Sequence, residues 1–298
     1  MVYHSQCPVC LSSSLNNKFS CTDYLVSLKS YTIVECAECG FNFTQDHPDE
    51  EEAGRYYESE EYISHSDISE GLVNKLYRFA RELMLKRKAG LIRKVTGLNT
   101  GRILDTGSGT GYFLNVMKQQ GWKAEGIEIN EKARNFSRSQ FGLVVHEPSQ
   151  IAKLEAASYD CITLWHVLEH FQDPAGYLRD LSQILKPDGS LIIALPNCSS
   201  YDAQYYRETW AAWDVPRHLW HFTPGTFSRF IGNKGFRIIS IRPLPLDVFY
   251  ISILSEKYAG TKTPFLKGII KGKWFWLKSV FNRGKSSSLI YILKKENN

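Results

Sequence analysis

This 298-residue chain contains no run of 18 apolar residues, which excludes an ordinary membrane-spanning helix. Its first residues, with His4, Gln6 and Cys7, supply neither the basic segment nor the apolar one of an export signal, so a soluble, cytoplasmic protein is expected. Internal repeats and low-complexity tracts are absent, and at 43% apolar and 13% aromatic the chain is neither disordered nor fibrous. Charge of one sign is scarce overall, with 36 Lys and Arg against 31 Asp and Glu, so a protein that coats polyanions along its whole surface is excluded. Acid is missing locally, however. Residues 257–295 hold ten Lys or Arg and no Asp or Glu, while residues 1–256 sum to −4 by the same count. Seven cysteines, an odd number in a chain with no export signal, argue against a disulfide framework and for metal ligation by clustered thiols.

Four of the cysteines form the pairs Cys7-Pro8-Val9-Cys10 and Cys36-Ala37-Glu38-Cys39, 25 residues apart, with Gly40 after the second. Each Cys-x-x-Cys turn places two thiolates on one side of a tight knuckle, and two knuckles complete the tetrahedron that zinc prefers. A β-rich run, Tyr31-Thr32-Ile33-Val34, leads into the second knuckle. So small a unit cannot bury enough apolar surface to hold itself, so a structural zinc on Cys7, Cys10, Cys36 and Cys39 is expected to supply much of its folding free energy. Cys161 and Cys198 stand alone and read as small core residues.

Beyond this ribbon, assigned to 1–48, an acidic connector rich in tyrosine (Tyr56, Tyr57, Tyr62) leads to an amphipathic helix over about 69–96, stopped at Gly97. Leu72, Leu76, Phe79 and Leu83 form its apolar stripe. From Arg102 short apolar runs alternate with helical stretches, the sequence form of an α/β domain with a largely parallel sheet covered on both faces. Strands are expected at 102–106, 123–129, 143–146, 159–165, 190–195, 236–242 and 288–294, and helices at 111–120, 131–140, 174–186 and 224–234.

The run Ile103-Leu104-Asp105-Thr106-Gly107-Ser108-Gly109-Thr110-Gly111 ends the first of these strands and opens a helix. Glycines there let backbone N–H groups approach a ligand at the helix N-terminus. The next strand ends in Gly126-Ile127-Glu128-Ile129, which puts a carboxylate 21 positions after Gly107, where it can accept hydrogen bonds from ribose hydroxyls. A nucleoside site follows. A dinucleotide fingerprint wants a glycine at position 112, which is Tyr112, so an NAD- or NADP-dependent oxidoreductase is disfavoured.

The Gly-x-Gly-x-Gly spacing after Asp105 resembles motif I of the class I S-adenosylmethionine-dependent methyltransferases. The likeness continues through Ser158–His170, similar to that family's fourth strand and following loop, and through Leu185-Lys186-Pro187-Asp188-Gly189 with Leu195-Pro196-Asn197. It covers roughly 102–242, with 288–294 as a seventh strand, and departs where His146-Glu147-Pro148-Ser149 replaces the family's frequent Gly-Asp near the adenine. The resemblance implies a Rossmann-like seven-stranded sheet, a domain over 101–298 and S-adenosylmethionine held by Asp105, Gly107, Ser108, Gly109, Gly111, Tyr112, Phe113, Glu128, Ile129, Trp165 and His166. The cysteine pairs, the connector tyrosines and Trp213–Phe222 together look like a bacterial subgroup with an N-terminal zinc ribbon; a glycan, lipid-linked sugar or small-molecule acceptor fits Arg217 and the basic tail.

His166-Val167-Leu168-Glu169-His170 also fits the H-x-x-E-H pattern of a zinc protease, but that pattern needs a continuous helix, and Asp173-Pro174 marks a fresh helix start. His218 and His221, in an aromatic segment after the fifth strand, are the better acid–base candidates, with His166 at the cofactor rim and Arg217 available for an anionic substrate group. Hydrogen-bonded histidines in an aromatic core are the plainer alternative. Finally, an insertion at about 246–285 carries Leu266, Ile269, Ile270, Trp274, Leu277 and Phe281 at helical spacing, flanked by Lys267, Lys271, Lys273 and Lys278. A helix packed on the domain, a homodimer contact, a membrane-surface helix over 265–281 at the inner face, and contact with nucleic acid all fit this pattern, the last least well. A zinc-ribbon nucleic-acid-binding protein, with or without RNA methylation, is the competing class, and steep salt dependence of affinity would be its signature.

Overall fold

The computed structural model describes residues 1–57 and 72–296, with side chains from Arg81 onward in the first long helix. The rest of the connector, including Tyr62, and the stripe residues Leu72, Leu76 and Phe79 lie outside the described residues or side chains. Along the chain run β1 (Leu15–Thr22), β2 (Ser30–Cys36), β3 (Asn42–Thr44), α1 (Leu72–Thr96), β4 (Arg102–Thr106), α2 (Tyr112–Gln119), β5 (Lys123–Ile127), α3 (Glu131–Phe141) and β6 (Val144–His146). There follow β7 (Tyr159–Trp165), α4 (Pro174–Ile184), β8 (Leu185–Pro196), α5 (Tyr201–Tyr206), β9 (Trp220–His221), α6 (Pro224–Ile231), β10 (Phe236–Pro243), α7 (Asp247–Tyr258), α8 (Pro264–Phe281) and β11 (Ser288–Lys295).

Seven strands form the large sheet in the order β10-β11-β8-β7-β4-β5-β6. Its strands are parallel except β11, which runs antiparallel to both neighbours. The order reverses between β4 and β7, the place where the ends of an α/β sheet open a ligand crevice. The central strands read as apolar runs because both faces are covered. Leu104, Ile162, Leu191 and Ile193 are fully buried, each contributing roughly 1.5–3 kcal/mol of transfer free energy. Local signals set the boundaries. Gly97 (φ 72) stops α1, Asp173 caps α4 on the Gly176 N–H with Pro174 in the first turn, and Thr223 and Thr226 box the start of α6. α4 ends at Ile184 instead of the expected 186, and β8 begins there, because Pro187 pushes the preceding residue toward extended backbone.

The ribbon does not stand apart. Its sheet, β1-β2-β3, gains β9 as a fourth strand, with Asn42 opposite His221 and Phe43 opposite Trp220. Cys7, Val34, Phe41 and Phe43 belong to the same apolar core as Leu219, Trp220 and Phe222 of the larger domain. The segment around His218 and His221 therefore forms the seam between ribbon and catalytic domain. The insertion expected at about 246–285 is a hairpin of α7 and α8 between β10 and β11.

Candidate cofactor and acceptor site

The ribbon's four thiols converge. Sγ of Cys7 lies 3.5 Å from Cys39 and Sγ of Cys10 3.5 Å from Cys36, and all four fall within 4.8 Å of one another. The knuckles match: Leu11 N–H donates to Cys7 C=O and Gly40 N–H to Cys36 C=O, each at 2.9 Å, and both closing residues are left-handed (φ 64 and 70). Glycine takes that conformation freely, whereas Leu11 pays steric strain there. This donor set is compatible with zinc, whose sulfur ligands sit about 2.3 Å from the metal.

At the carboxyl end of β4 the loop 107–111 turns on three left-handed glycines, Gly107 (φ 68), Gly109 (φ 52) and Gly111 (φ 77). A Cβ on Gly107 would stand 2.4 Å from Val167 Cγ2, and one on Gly111 2.8 Å from Leu143 Cδ1, whereas at Gly109 it would meet nothing within 4 Å. Gly107 and Gly111 are thus required for packing, and Gly109 faces open space. Glu128, at the end of β5, ties the loop down: one carboxylate oxygen accepts from Gly109 N–H (2.7 Å), the other from Asn130 N–H (2.8 Å). A carboxylate has about four acceptor sites, so capacity for a ligand hydroxyl remains. Ile129 beside it is 71% exposed.

Asp105 is buried and accepts from Thr163 Oγ1 at 2.5 Å. Burial, helped by the Glu128 charge, raises its pKa to about 7 against the pull of Thr163 and Lys88. Lys88 of α1 lies 4.2 Å over the Trp165 ring, and Phe113 meets that ring edge-on. Ser108 Oγ and Trp165 Nε1 are buried and without a hydrogen-bond partner among the described residues. Tyr112 points elsewhere: its ring packs on Phe136 and Phe141 under the Arg81 guanidinium.

After β7 the chain takes a left-handed step at His166 (φ 59) into the turn Leu168–His170. Here four histidines part company. His166 bonds Asp247 of α7 through Nε2 (2.7 Å), and its Nδ1 faces Glu169 at 3.5 Å. Burial would lower its pKa, but the two carboxylates outweigh this and raise it to about 9. His170 is held neutral by burial and by His218, its pKa pushed down to about 4, with Nδ1 against Arg217 C=O and Tyr57 OH. His218 bonds Ala212 C=O through Nδ1 (2.9 Å), which must therefore carry the proton, leaving the Nε2 lone pair facing Asp214 (3.8 Å) and Glu169 (3.9 Å).

His221 does not fit the expected role of a base. It is 3% exposed, hydrogen-bonded to Thr44 Oγ1 and set edge-on against Trp213, and burial drives its pKa well below the usual value. Arg217 is no substrate anchor either, because its guanidinium is buried between Asp214 (2.6 Å) and Asp23 of the ribbon (3.3 Å). The protease arrangement is not formed, since the five residues do not lie on one helix and His166 Nε2 is taken by Asp247. Sequence reasoning missed Lys88, Asp214 and Asp247, which no local motif marks, and considered Glu169 only within the zinc-protease pattern that it set aside.

A glycine loop at a sheet reversal, a carboxylate after the second strand and a histidine-lined loop after the fourth define a class I S-adenosylmethionine-dependent methyltransferase. A methyltransferase domain family model matches residues 76–241, more than half of the sequence, and the chain belongs to that family. Among curated relatives, the ubiquinone biosynthesis O-methyltransferase of Azoarcus sp. (strain BH72) is 27% identical over 159 residues, 49% of this chain and 68% of that protein. That of Bordetella avium (strain 197N) is 30% identical over 114 residues, 36% of this chain and 47% of the relative, so the likeness spans from half to two thirds of these proteins. In fold, the chain is similar to the magnesium protoporphyrin IX methyltransferase of Synechocystis PCC 6803, solved with bound S-adenosylhomocysteine (TM-score 0.55, 15% identity, 83% of this chain and 100% of that one). It is also similar to the 1,6-didemethyltoxoflavin-N1-methyltransferase of Burkholderia thailandensis (TM-score 0.52, 14% identity, 88% and 98%).

Proposed function

We propose that this enzyme methylates a hydroxyl group of a small-molecule acceptor and that His218 takes the hydroxyl proton. The observation that carries this reading is the geometry of His218: Nδ1 is fixed as a donor to Ala212 C=O, which leaves Nε2, turned toward Glu169 and Asp214, as the nitrogen that can accept. S-adenosylmethionine, when bound, supplies an already activated methyl. The chain's own residues supply position and exclusion of water. Glu128 is suited to the ribose hydroxyls, Ile129 to the adenine face, and the orphaned Ser108 Oγ and Trp165 Nε1 to polar cofactor atoms. His166, held as an imidazolium by Asp247, is suited to orient an oxygen at the rim and is no base at neutral pH.

The curated O-methyltransferase relatives support oxygen as the methylated atom. A glycan hydroxyl presents the same chemistry and is the alternative acceptor. The zinc of the four cysteines is structural in this reading, because four thiolates leave no open coordination position.

The test begins with calorimetric titration by S-adenosylhomocysteine, with NAD as control, followed by transfer of labelled methyl from S-adenosylmethionine to phenolic and sugar acceptors. His218→Ala should lower kcat about 10²–10⁴-fold and leave S-adenosylhomocysteine affinity unchanged, while His221→Ala should act through stability alone. Full activity in His218→Ala would overturn the assignment.

A further inference from the structure

Helix α8 buries the wrong face for a domain helix. Toward the protein it presents Gly268, Gly272, Phe275 and Ser279. A Cβ on Gly268 would stand 2.5 Å from Ile253 Cα, and one on Gly272 3.0 Å from Phe249, so the glycines are what let α8 lie backbone-close on α7. The apolar stripe is left outside. Leu266 is 59% exposed, Ile270 60%, Trp274 49%, Leu277 44% and Phe281 92%, with Phe265 beside them. At 100° per residue these positions sweep about half the circumference of the helix, and Lys273 is the charged residue among them. Exposed Lys267 borders the stripe, and exposed Lys262 and Arg283 flank its two ends.

We propose that α8 is a membrane-docking helix that lays this half-cylinder into the interface of an anionic lipid bilayer. Three observations select that occupant. The helix is fixed to its own domain on the opposite face through Gly268 and Gly272, and of the exposed half Trp274 reaches back, edge-on to Tyr205, while Leu266, Ile270 and Phe281 stay turned to solvent. The charge along and beside the exposed face is of one sign, carried by Lys262, Lys267, Lys273 and Arg283 while Lys271 is paired inward with Glu256, which complements anionic headgroups and would repel the same face of a second copy. Tryptophan and phenylalanine with lysine are the composition that sits at the boundary between headgroup and acyl chain. Among the described residues no helix is long and apolar enough to cross a membrane, so the contact is with the surface. The inference is independent of the methyltransferase reading.

The test is co-sedimentation of the zinc-loaded full chain with vesicles of phosphatidylcholine alone and of phosphatidylcholine mixed with phosphatidylglycerol, at low and high salt. The wild type should partition about tenfold or more in favour of the anionic vesicles, with tryptophan emission shifted to the blue and the preference reduced by salt. Ile270→Glu with Phe281→Glu, 60% and 92% exposed on the outer face, should lose at least about tenfold in partition while melting temperature and S-adenosylhomocysteine affinity stay at wild-type values. A wild type that remains in the supernatant, or a variant that sediments as the wild type does, overturns the proposal. So does a dimer, seen by sedimentation velocity, that the variant abolishes in a protein without vesicle affinity, since the occupant would then be a second copy.

Discussion

Replacing Arg217 by methionine removes the cation that joins the ribbon to the catalytic domain. The guanidinium is buried with Asp23 at 3.3 Å and Asp214 at 2.6 Å, side chains that are 0% and 21% exposed. Breaking a buried ion pair from one side costs about 3–5 kcal/mol, because the surviving charge stays out of water. The two carboxylates do not suffer equally. Asp23 keeps the Leu25, Val26 and Ser27 N–H groups and the Ser27 hydroxyl, whereas Asp214 loses its bidentate partner and, among the described residues, keeps His218 at 3.8 Å. Burial would raise the Asp214 pKa, yet Arg217 and His218 bring it down to about 2, so this carboxylate is the one stranded. The cost should therefore lie near the low end, about 3 kcal/mol, which at roughly 2–4 °C per kcal/mol is a fall of about 6–12 °C in melting temperature. Near-ultraviolet circular dichroism of the zinc-loaded protein reads the transition. Adding Asp214→Asn to Arg217→Met should recover about half of the loss, since asparagine tolerates the left-handed backbone at 214 (φ 39). A single variant within about 0.5 kcal/mol of the wild type would show that the seam is held by its apolar contacts and not by this triad.

Other outcomes follow from the same structure. Purified protein should carry a single zinc per chain, and Cys36→Ser should release it and lower the melting temperature; elemental analysis finding no zinc would refute the cluster's assignment. Gly107→Ala, at φ 68 with Val167 at 2.4 Å, should cost roughly 1–2 kcal/mol in backbone strain and about 1–3 in overpacking, and should weaken S-adenosylhomocysteine binding at least tenfold; unchanged calorimetric affinity would contradict it. His166 has a folded pKa of about 9 against an ordinary value of 6.5, so its contribution is full below about pH 6.5 and is lost as pH rises through about 9. The gap in melting temperature between wild type and His166→Gln should accordingly shrink over that interval, and a constant gap would mean that Asp247 does not hold an imidazolium.

Patterns carried by neighbouring residues were legible in the chain alone. Strands 102–106 and 159–165 fall where the apolar runs put them, and Gly107, Gly109 and Gly111 turn the loop as their spacing requires. The two Cys-x-x-Cys pairs announce a four-thiol cluster because each knuckle is a local turn, and only its partner is distant. Histidine roles were not legible in this way. His218 and His221 lie three residues apart, yet one faces two carboxylates while the other is sealed against Thr44 and Trp213 of the seam.

Nor does the stripe on α8 say by itself which way it faces. Helical spacing defines an apolar side, and the expectation for such a side is inward, but Gly268 and Gly272 allow a closer approach to α7 than any larger residue would. Local pattern was enough for the strands of the large sheet, the glycine loop and the thiol pairs, because periodicity, turn chemistry and paired ligands act over a few residues; β1, β3, β9 and α5 carried no such signal. The tertiary structure alone decided the pairing of β9 with β3, the bridge from Asp23 through Arg217 to Asp214, the grip of Asp247 on His166 and the outward face of α8. Each of these depends on residues far apart in the chain, and burial and charge at such contacts are fixed only when the packed elements bring them together.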